Sequence, residues 1–276
     1  MIANTTGEDN TALGAYALDA ATTASGNTAL GRSVLTTVTT GHSNVGVGCS
    51  ALRVYSGSEN TAVGYHAMYN TSTGGDSVAV GHKAMFSNTT GNVSVAVGDA
   101  ALYSNTDGWG NVAIGYLALQ DNTSGDGNVA VGYKALTDNT TADFNTAVGY
   151  SALMDNTTGT DNTALGYKAL ENNTAGARNT ALGDSALTAQ NANDNTAVGY
   201  AALTANTTGA ENTAVGGNAL KANSTGDYNV AMGVNALEDN TVNNNTAVGY
   251  KALTENTTGA NNVAVLSLIH ISEPTR

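Results

Sequence analysis

A repeat of seventeen residues constrains the fold of this chain more than any other feature of its sequence. The segment 145–161, NTAVGYSALMDNTTGTD, is followed at once by 162–178, NTALGYKALENNTAGAR, and the pattern recurs in 195–211 as NTAVGYAALTANTTGAE. The shared pattern is N-[TV]-A-[VLI]-G-Y-x-A-L-x-x-N-T-T-G-x-x, whose residues are numbered below as positions 1 to 17. One repeat of this length cannot bury a core by itself, whereas stacked repeats share one. The sequence therefore predicts a solenoid with one coil per repeat.

The repeat runs through nearly the whole chain. Three repeats, those beginning at Asn44, Asn179 and Asn229, have sixteen residues. Their missing residue falls in the N-T-T-G-x-x segment, where a loop tolerates a change in length. The repeats begin at residues 10, 27, 44, 60, 77, 94, 111, 128, 145, 162, 179, 195, 212, 229, 245 and 262.

Each part of the repeat predicts a local structure. Positions 1–5 are rich in Thr and Val and predict a strand, with positions 2 and 4 on one face and 3 and 5 on the other. For positions 6–11 we expect a second short strand of a flattened coil; their Ala, Leu, Lys and Glu content leaves one helical turn as the alternative. Positions 12–17 predict a return turn, since Asn and Gly tolerate positive φ. The predicted fold is thus mainly β, a parallel β-roll of 16–17 residues per coil, with a strand-plus-helical-turn solenoid as the alternative.

Two side-chain patterns bear on how such a coil is held together. Asn recurs at position 1, and stacked at one corner these side chains predict an amide ladder. The expected apolar core is thin, with one Val or Leu, one Leu, two Ala and a Thr or Val per repeat. Ordering each residue costs about 1.5 kcal/mol of conformational entropy. We therefore expect identical chains to associate and add burial.

Charge and composition exclude several classes of partner. The chain of 276 residues has 9 Lys and Arg against 22 Asp and Glu, a formal net charge of −13. No basic patch is present to neutralise phosphates, so we expect no nucleic-acid partner. No apolar stretch approaches the ~20 residues of a membrane helix, so no membrane insertion is expected for this segment. The single cysteine, Cys49, allows no intrachain disulfide.

The residues that could carry chemistry do not form a catalytic constellation in the sequence. His66 and His82 lie on neighbouring coils, and a metal site between them is a weaker interpretation than a solvated face. Acidic residues cluster at turn positions, where solubilising charge is the simpler explanation than paired catalytic carboxylates. We assign no catalytic, cofactor-binding or metal residues and expect no enzyme activity. Tyr recurs at position 6 and Trp109 lies in a return turn; such aromatics grip sugars or pack between chains. The candidate surface-binding residues are Tyr116, Tyr133, Tyr150, Tyr167 and Trp109.

Several repeats resemble those of known fibre proteins. The runs SVAVGHKAM (77–85), SVAVGDAAL (94–102) and NVAVGYKAL (128–136) resemble head repeats of trimeric autotransporter adhesins. The longer form, NTAVGYxALxxNTTG, is similar to repeats of bacteriophage tail-fibre proteins and bacterial surface fibres. This chain departs from the adhesin pattern in its longer repeat and its N-T-T-G turn.

The resemblance implies a left-handed β-roll of three wrapped chains. The implied function is a structural shaft or head of a homotrimeric attachment fibre that presents a receptor-binding tip, on a virion tail or a bacterial cell surface. The implied partners are two further copies of the chain and a host-surface glycan or protein receptor.

A monomeric solenoid that binds a regular surface, as ice-binding solenoids do, is the alternative. Thr occupies position 2 in many repeats, and a flat Thr row could match a lattice. Val replaces Thr in other repeats, which interrupts the row. The threonines in question are Thr146, Thr163, Thr180, Thr196, Thr213 and Thr246.

The last eleven residues, LSLIHISEPTR from Leu266 to Arg276, break the repeat and hold the only proline, Pro274. Back-translated in one frame, they resemble a transposase adapter used for sequencing libraries. We expect residues 1–265 to form a single solenoid of about fifteen repeats that is truncated at both ends, and residues 266–276 to be adapter read-through outside the fold.

Overall fold

The structure, a computed structural model, describes residues 3–266. They form a parallel β-solenoid with one three-residue strand per repeat, at positions 2–4, which confirms the predicted mainly-β repeat solenoid. Residues 3–266 contain no helix, so the helical-turn alternative is wrong. The strands are β1 Thr11–Leu13, β2 Thr28–Leu30, β3 Val45–Val47, β4 Thr61–Val63, β5 Val78–Val80, β6 Val95–Val97, β7 Val112–Ile114, β8 Val129–Val131, β9 Thr146–Val148, β10 Thr163–Leu165, β11 Thr180–Leu182, β12 Thr196–Val198, β13 Thr213–Val215, β14 Val230–Met232, β15 Thr246–Val248 and β16 Val263–Val265.

The described chain divides into two compact units, residues 3–151 with β1–β9 and residues 152–266 with β10–β16. Within each unit every strand pairs in parallel with the next one along the sequence, position for position, as in Val129 with Thr146. The strand register is the same in the sixteen-residue repeats, where Val45 of β3 pairs with Thr61 of β4. The shortening is absorbed in the return turn, as predicted. The C-terminal segment 266–276, predicted to be adapter read-through, lies outside the described residues except for Leu266, whose N–H donates to the Val248 carbonyl (2.9 Å).

The second limb, positions 6–11, is not the second strand that the sequence predicted. Its backbone turns into the left-handed region at positions 7 and 9, with φ of 53° at both Lys134 and Leu136. Its amides still bond between coils: the Lys134 N–H donates to the Tyr116 carbonyl (2.9 Å), and the Leu119 N–H to the Ala135 carbonyl (3.0 Å). Because left-handed residues alternate along the limb, its backbone groups form hydrogen bonds with both neighbouring coils without an extended strand. Propensity alone gave no sign of this, because left-handed non-glycine residues are uncommon.

The core lies between the inner face of the strands and the second limb. The Ala side chains at positions 3 and 8 and the Leu or Met at position 9 are fully buried in nearly every coil. Positions 2 and 4 point outward and are half-buried or exposed, so the branched residues counted in the expected core lie outside it. The narrow gap between the strand and the second limb admits only small side chains, as one exception demonstrates. Where Val34 replaces Ala at position 8, Gly46 replaces Ala at position 3 of the next coil, and a Cβ on Gly46 would come 2.4 Å from Val34.

Candidate binding surface

A ladder of asparagines at position 1 joins successive coils, as the sequence predicted, and Ser77 and Ser94 take the place of asparagine in two of them. The Asn128 amide Nδ2 donates to the Ala142 carbonyl of its own coil (2.8 Å). Its Oδ1 accepts the backbone N–H of Asn145 in the next coil (2.9 Å). Both side chains are fully buried. Each side chain thus satisfies buried backbone groups of two coils, which fixes one coil on the next.

A second ladder, at position 12, was missed by the sequence analysis. Asn122 Nδ2 donates to Asn105 Oδ1 (2.8 Å) and to the Gly125 carbonyl (3.0 Å), and Asn139 Nδ2 donates to Asn122 Oδ1 (2.8 Å). The recurrence of Asn at position 12 from Asn88 onward was the signal that could have revealed it. Together the two ladders hold equivalent surface positions in line, one coil spacing of about 4.8 Å apart.

Three of the predicted tyrosines form one stacked row on this scaffold. The ring centroids of Tyr116 and Tyr133 are 5.4 Å apart and those of Tyr133 and Tyr150 are 4.8 Å apart, with planes within 16° and 10° of parallel. All three are exposed. The Lys134 ammonium lies 5.7 Å from the Tyr133 centroid. The recurrence of Tyr at position 6 therefore produces a stacked, exposed row in these three coils.

The two other predicted aromatics lie elsewhere. Tyr167 occupies position 6 in the second compact unit, is exposed, and carries Lys168 5.7 Å from its ring centroid. Trp109 lies at position 16 in a return turn of the first unit, with its backbone N–H donating to Asp126 Oδ1 (2.9 Å). Within residues 3–151 it makes no ring contact with the tyrosine row. Trp109 and the row are therefore not one site.

A larger aromatic cluster lies in the three coils before the tyrosine row, and the sequence analysis did not identify it. At position 10, Tyr69 stacks on Phe86 (5.2 Å, 6°) and Phe86 on Tyr103 (5.0 Å, 3°). His66 joins this column to position 6, since its ring lies 4.5 Å from Tyr69 and 3.8 Å from Tyr65. Aromatics at position 10 of three consecutive repeats were the available signal. We call the cluster the aromatic patch; it comprises Arg53, Tyr65, His66, Tyr69, His82, Lys83, Phe86 and Tyr103.

Basic side chains surround the aromatic patch. The Arg53 guanidinium lies 5.4 Å from the Tyr69 centroid and donates to the Tyr69 hydroxyl. Burial lowers the pKa of His66, and the charges of Lys83, Arg53 and His82 lower it further. His66 is therefore neutral at pH 7 and keeps one acceptor and one donor nitrogen. His82 has a different partner, because its Nδ1 lies 2.8 Å from Asp99 Oδ1.

The coils of the tyrosine row are more acidic than those of the aromatic patch. They carry Asp121 and Asp138 at position 11, and burial followed by the charge of Asp138 raises the pKa of Asp121. Within residues 3–266 no three His, Cys, Asp or Glu side chains come together as metal ligands. His66 and His82 instead contribute to the aromatic patch.

Comparison with protein families and curated proteins identified no functional residues for this chain. No protein-family model matches the chain, and no curated protein matches it. Among the described residues no helix is long and apolar enough to cross a lipid bilayer.

Proposed function

We propose that this chain is a structural shaft or head segment of a homotrimeric attachment fibre that holds a receptor-binding tip away from a virion tail or a bacterial surface. The observation that carries the proposal is the outward face of the parallel strands. In β6, β7 and β8 both outward positions are apolar and branched, and the three strands are in register. All-parallel sheets are found almost only with both faces covered. Here the second limb covers the inner face, and a further chain would cover the outer one.

The internal bonding suits a mechanical role. Each coil is tied to the next by backbone hydrogen bonds on several sides and by buried amides. Such a stack transmits load through many parallel contacts and depends on no single cofactor or disulfide. The number three rests on the resemblance of the repeats to trimeric fibres, and the need for a second layer rests on the exposed apolar face.

Light scattering on the purified chain tests the proposal. We expect a mass three times that of the 27.6 kDa chain. Two outward substitutions, Val97→Lys and Val131→Lys, should dissociate the assembly, because a charge would have to be buried in the interface. Leu117→Lys is the matched control, since Lys134 occupies the same position 7 in the next coil. A stable monomer, or an assembly broken by the control and not by the two valine substitutions, would contradict the proposal.

One observation favours the surface-binding alternative as a second candidate. In the second compact unit, four consecutive strands carry Thr at the outward position 2, in register. The row is one Thr wide and ends at Val230, which makes it a weaker proposal than the fibre. Measurable thermal hysteresis in a solution of the monomeric chain would favour it, and its absence would remove it. The four residues are Thr163, Thr180, Thr196 and Thr213.

A further inference from the structure

We propose that the aromatic patch is a binding site for an acidic saccharide, with the sugar ring against the aromatic rings and its carboxylate beside Arg53 and Lys83. All residues of the patch belong to four consecutive coils of one chain. The site is therefore complete in a single copy and depends neither on the fibre role nor on the oligomeric state.

The three stacked rings of the patch are half-buried, and Tyr65 beside them is exposed. Tyr69, Phe86 and Tyr103 are nearly parallel, with neighbouring centroids 5.0 to 5.2 Å apart. Carbon atoms in contact are about 3.5–4.0 Å apart, so parallel rings at this centroid distance must be displaced sideways. Each ring then covers only part of the next. The uncovered face is electron-rich and attracts the polarised C–H groups along one side of a pyranose ring.

The charge around the patch selects an acidic ligand. The chain as a whole carries 22 acidic and 9 basic side chains, yet Arg53 lies over the Tyr69 ring, and the charges of Lys83, Arg53 and His82 all act on His66. Asp99 is the acidic group in contact with the patch, and it is already bonded to His82. A carboxylate next to Arg53 and Lys83 would gain charge-assisted hydrogen bonds. It could also accept from the neutral His66 ring.

The ligand should carry isolated charges rather than one charge on every unit. Single-stranded nucleic acids also bind stacked aromatics beside cations, with a phosphate on each nucleotide. Two full positive charges on a chain of net charge −13 cannot neutralise such a run of phosphates. The tyrosine row at Tyr116, Tyr133 and Tyr150 is the internal contrast, because its three coils carry one cation, Lys134, against six aspartates that include Asp121 and Asp138. That row should not bind an anionic sugar.

Calorimetric titration of the full chain with glucuronosyl-xylotriose, a tetrasaccharide with a single carboxylate, tests the proposal, with the methyl ester of the same tetrasaccharide as a ligand that keeps the rings and loses the charge. We expect the acid to bind and the ester to bind about tenfold more weakly or worse, as for a lost hydrogen bond to a charged group. Arg53→Thr and Phe86→Thr should each weaken acid binding by about tenfold or more. Both substitutions use a residue that other coils carry at position 10, Thr36 and Thr188. Arg178→Ala, in the second compact unit, is the control and should leave binding unchanged.

A second measurement uses the unsubstituted chain, so its result does not depend on whether a substitution disturbs the packing of the patch. We expect bound glucuronosyl-xylotriose to raise the pKa of His66, followed by NMR, because a nearby carboxylate stabilises the imidazolium. No binding at millimolar acid, equal binding of acid and ester, or an unmoved His66 would overturn the proposal. Binding of an oligothymidylate in place of the acid would also overturn the proposal. A change in the solution mass of Phe86→Thr would overturn it too, because it would show that the patch is an interface between copies.

Discussion

The position-12 ladder makes a strong claim about stability, and Asn122→Ala tests it. Asn122 is fully buried. Its removal leaves Asn105 Oδ1 without the amide that donates to it at 2.8 Å. The Gly125 carbonyl loses one donor and keeps Asn111 Nδ2 (2.8 Å), and Asn139 Nδ2 loses one acceptor and keeps the Ala142 carbonyl (3.0 Å). One buried oxygen is thus orphaned and two other groups are weakened.

These losses set the expected magnitude. A buried polar group left without its partner costs about 1–3 kcal/mol, and an ordinary hydrogen bond is worth about 1 kcal/mol. We expect the coils around Asn122 to lose about 3 kcal/mol of stability in total. Since a solenoid can open locally, hydrogen exchange followed by mass spectrometry is the suitable assay. Backbone amides between residues 105 and 139 should exchange roughly a hundredfold faster.

Two comparisons make the test specific. Asn70→Ala removes an exposed asparagine of the same compact unit and should change stability by less than about 0.5 kcal/mol. Adding Asn105→Ala to Asn122→Ala should cost less than the sum of the single changes, because it removes the orphaned oxygen itself. Equal effects of Asn122→Ala and Asn70→Ala would refute the reasoning that the buried amides hold the coils together.

Three further substitutions test other parts of the structure by thermal unfolding. Gly132→Ala should cost more than about 4 kcal/mol, because φ is +138° and the new Cβ would lie 2.3 Å from the Gly149 carbonyl oxygen; a change below 1 kcal/mol would contradict this close approach. Val93→Gly should stabilise by about 0.5–1 kcal/mol, since exposed Val93 has a φ of +55° that strains a branched residue, whereas Val93→Ala should gain little. Asp121→Asn should raise the melting temperature at pH 7 and not at pH 3. The folded-state pKa of Asp121 is raised by burial and by Asp138, so its favourable contribution is present at low pH and is lost as pH rises through that pKa; an equal effect at both pH values would exclude this cause.

The sequence by itself determined the repeat and therefore the solenoid. Its Thr–Ala–Val alternation located each strand, and its Asn and Gly residues located the return turn. Asn128 and its equivalents were recognisable as a ladder because one polar residue recurred where a stack would bury it. These features are local or periodic, so they can be derived without knowing how the chain packs.

Only the tertiary structure decided which face of the strand lies inside. Alanine at position 3, and not the branched residues at positions 2 and 4, faces the second limb, because the gap is too narrow for more than a methyl group, as Gly46 opposite Val34 demonstrates. The second limb itself depends on left-handed residues such as Leu136, which are held by burial and by hydrogen bonds to neighbouring coils and have no signature in propensity. The aromatic patch, too, is decided by the tertiary structure. His66 meets rings from positions 6 and 10 of two coils, and such a meeting follows from the cross-section of the coil, which the spacing of residues in the sequence does not specify.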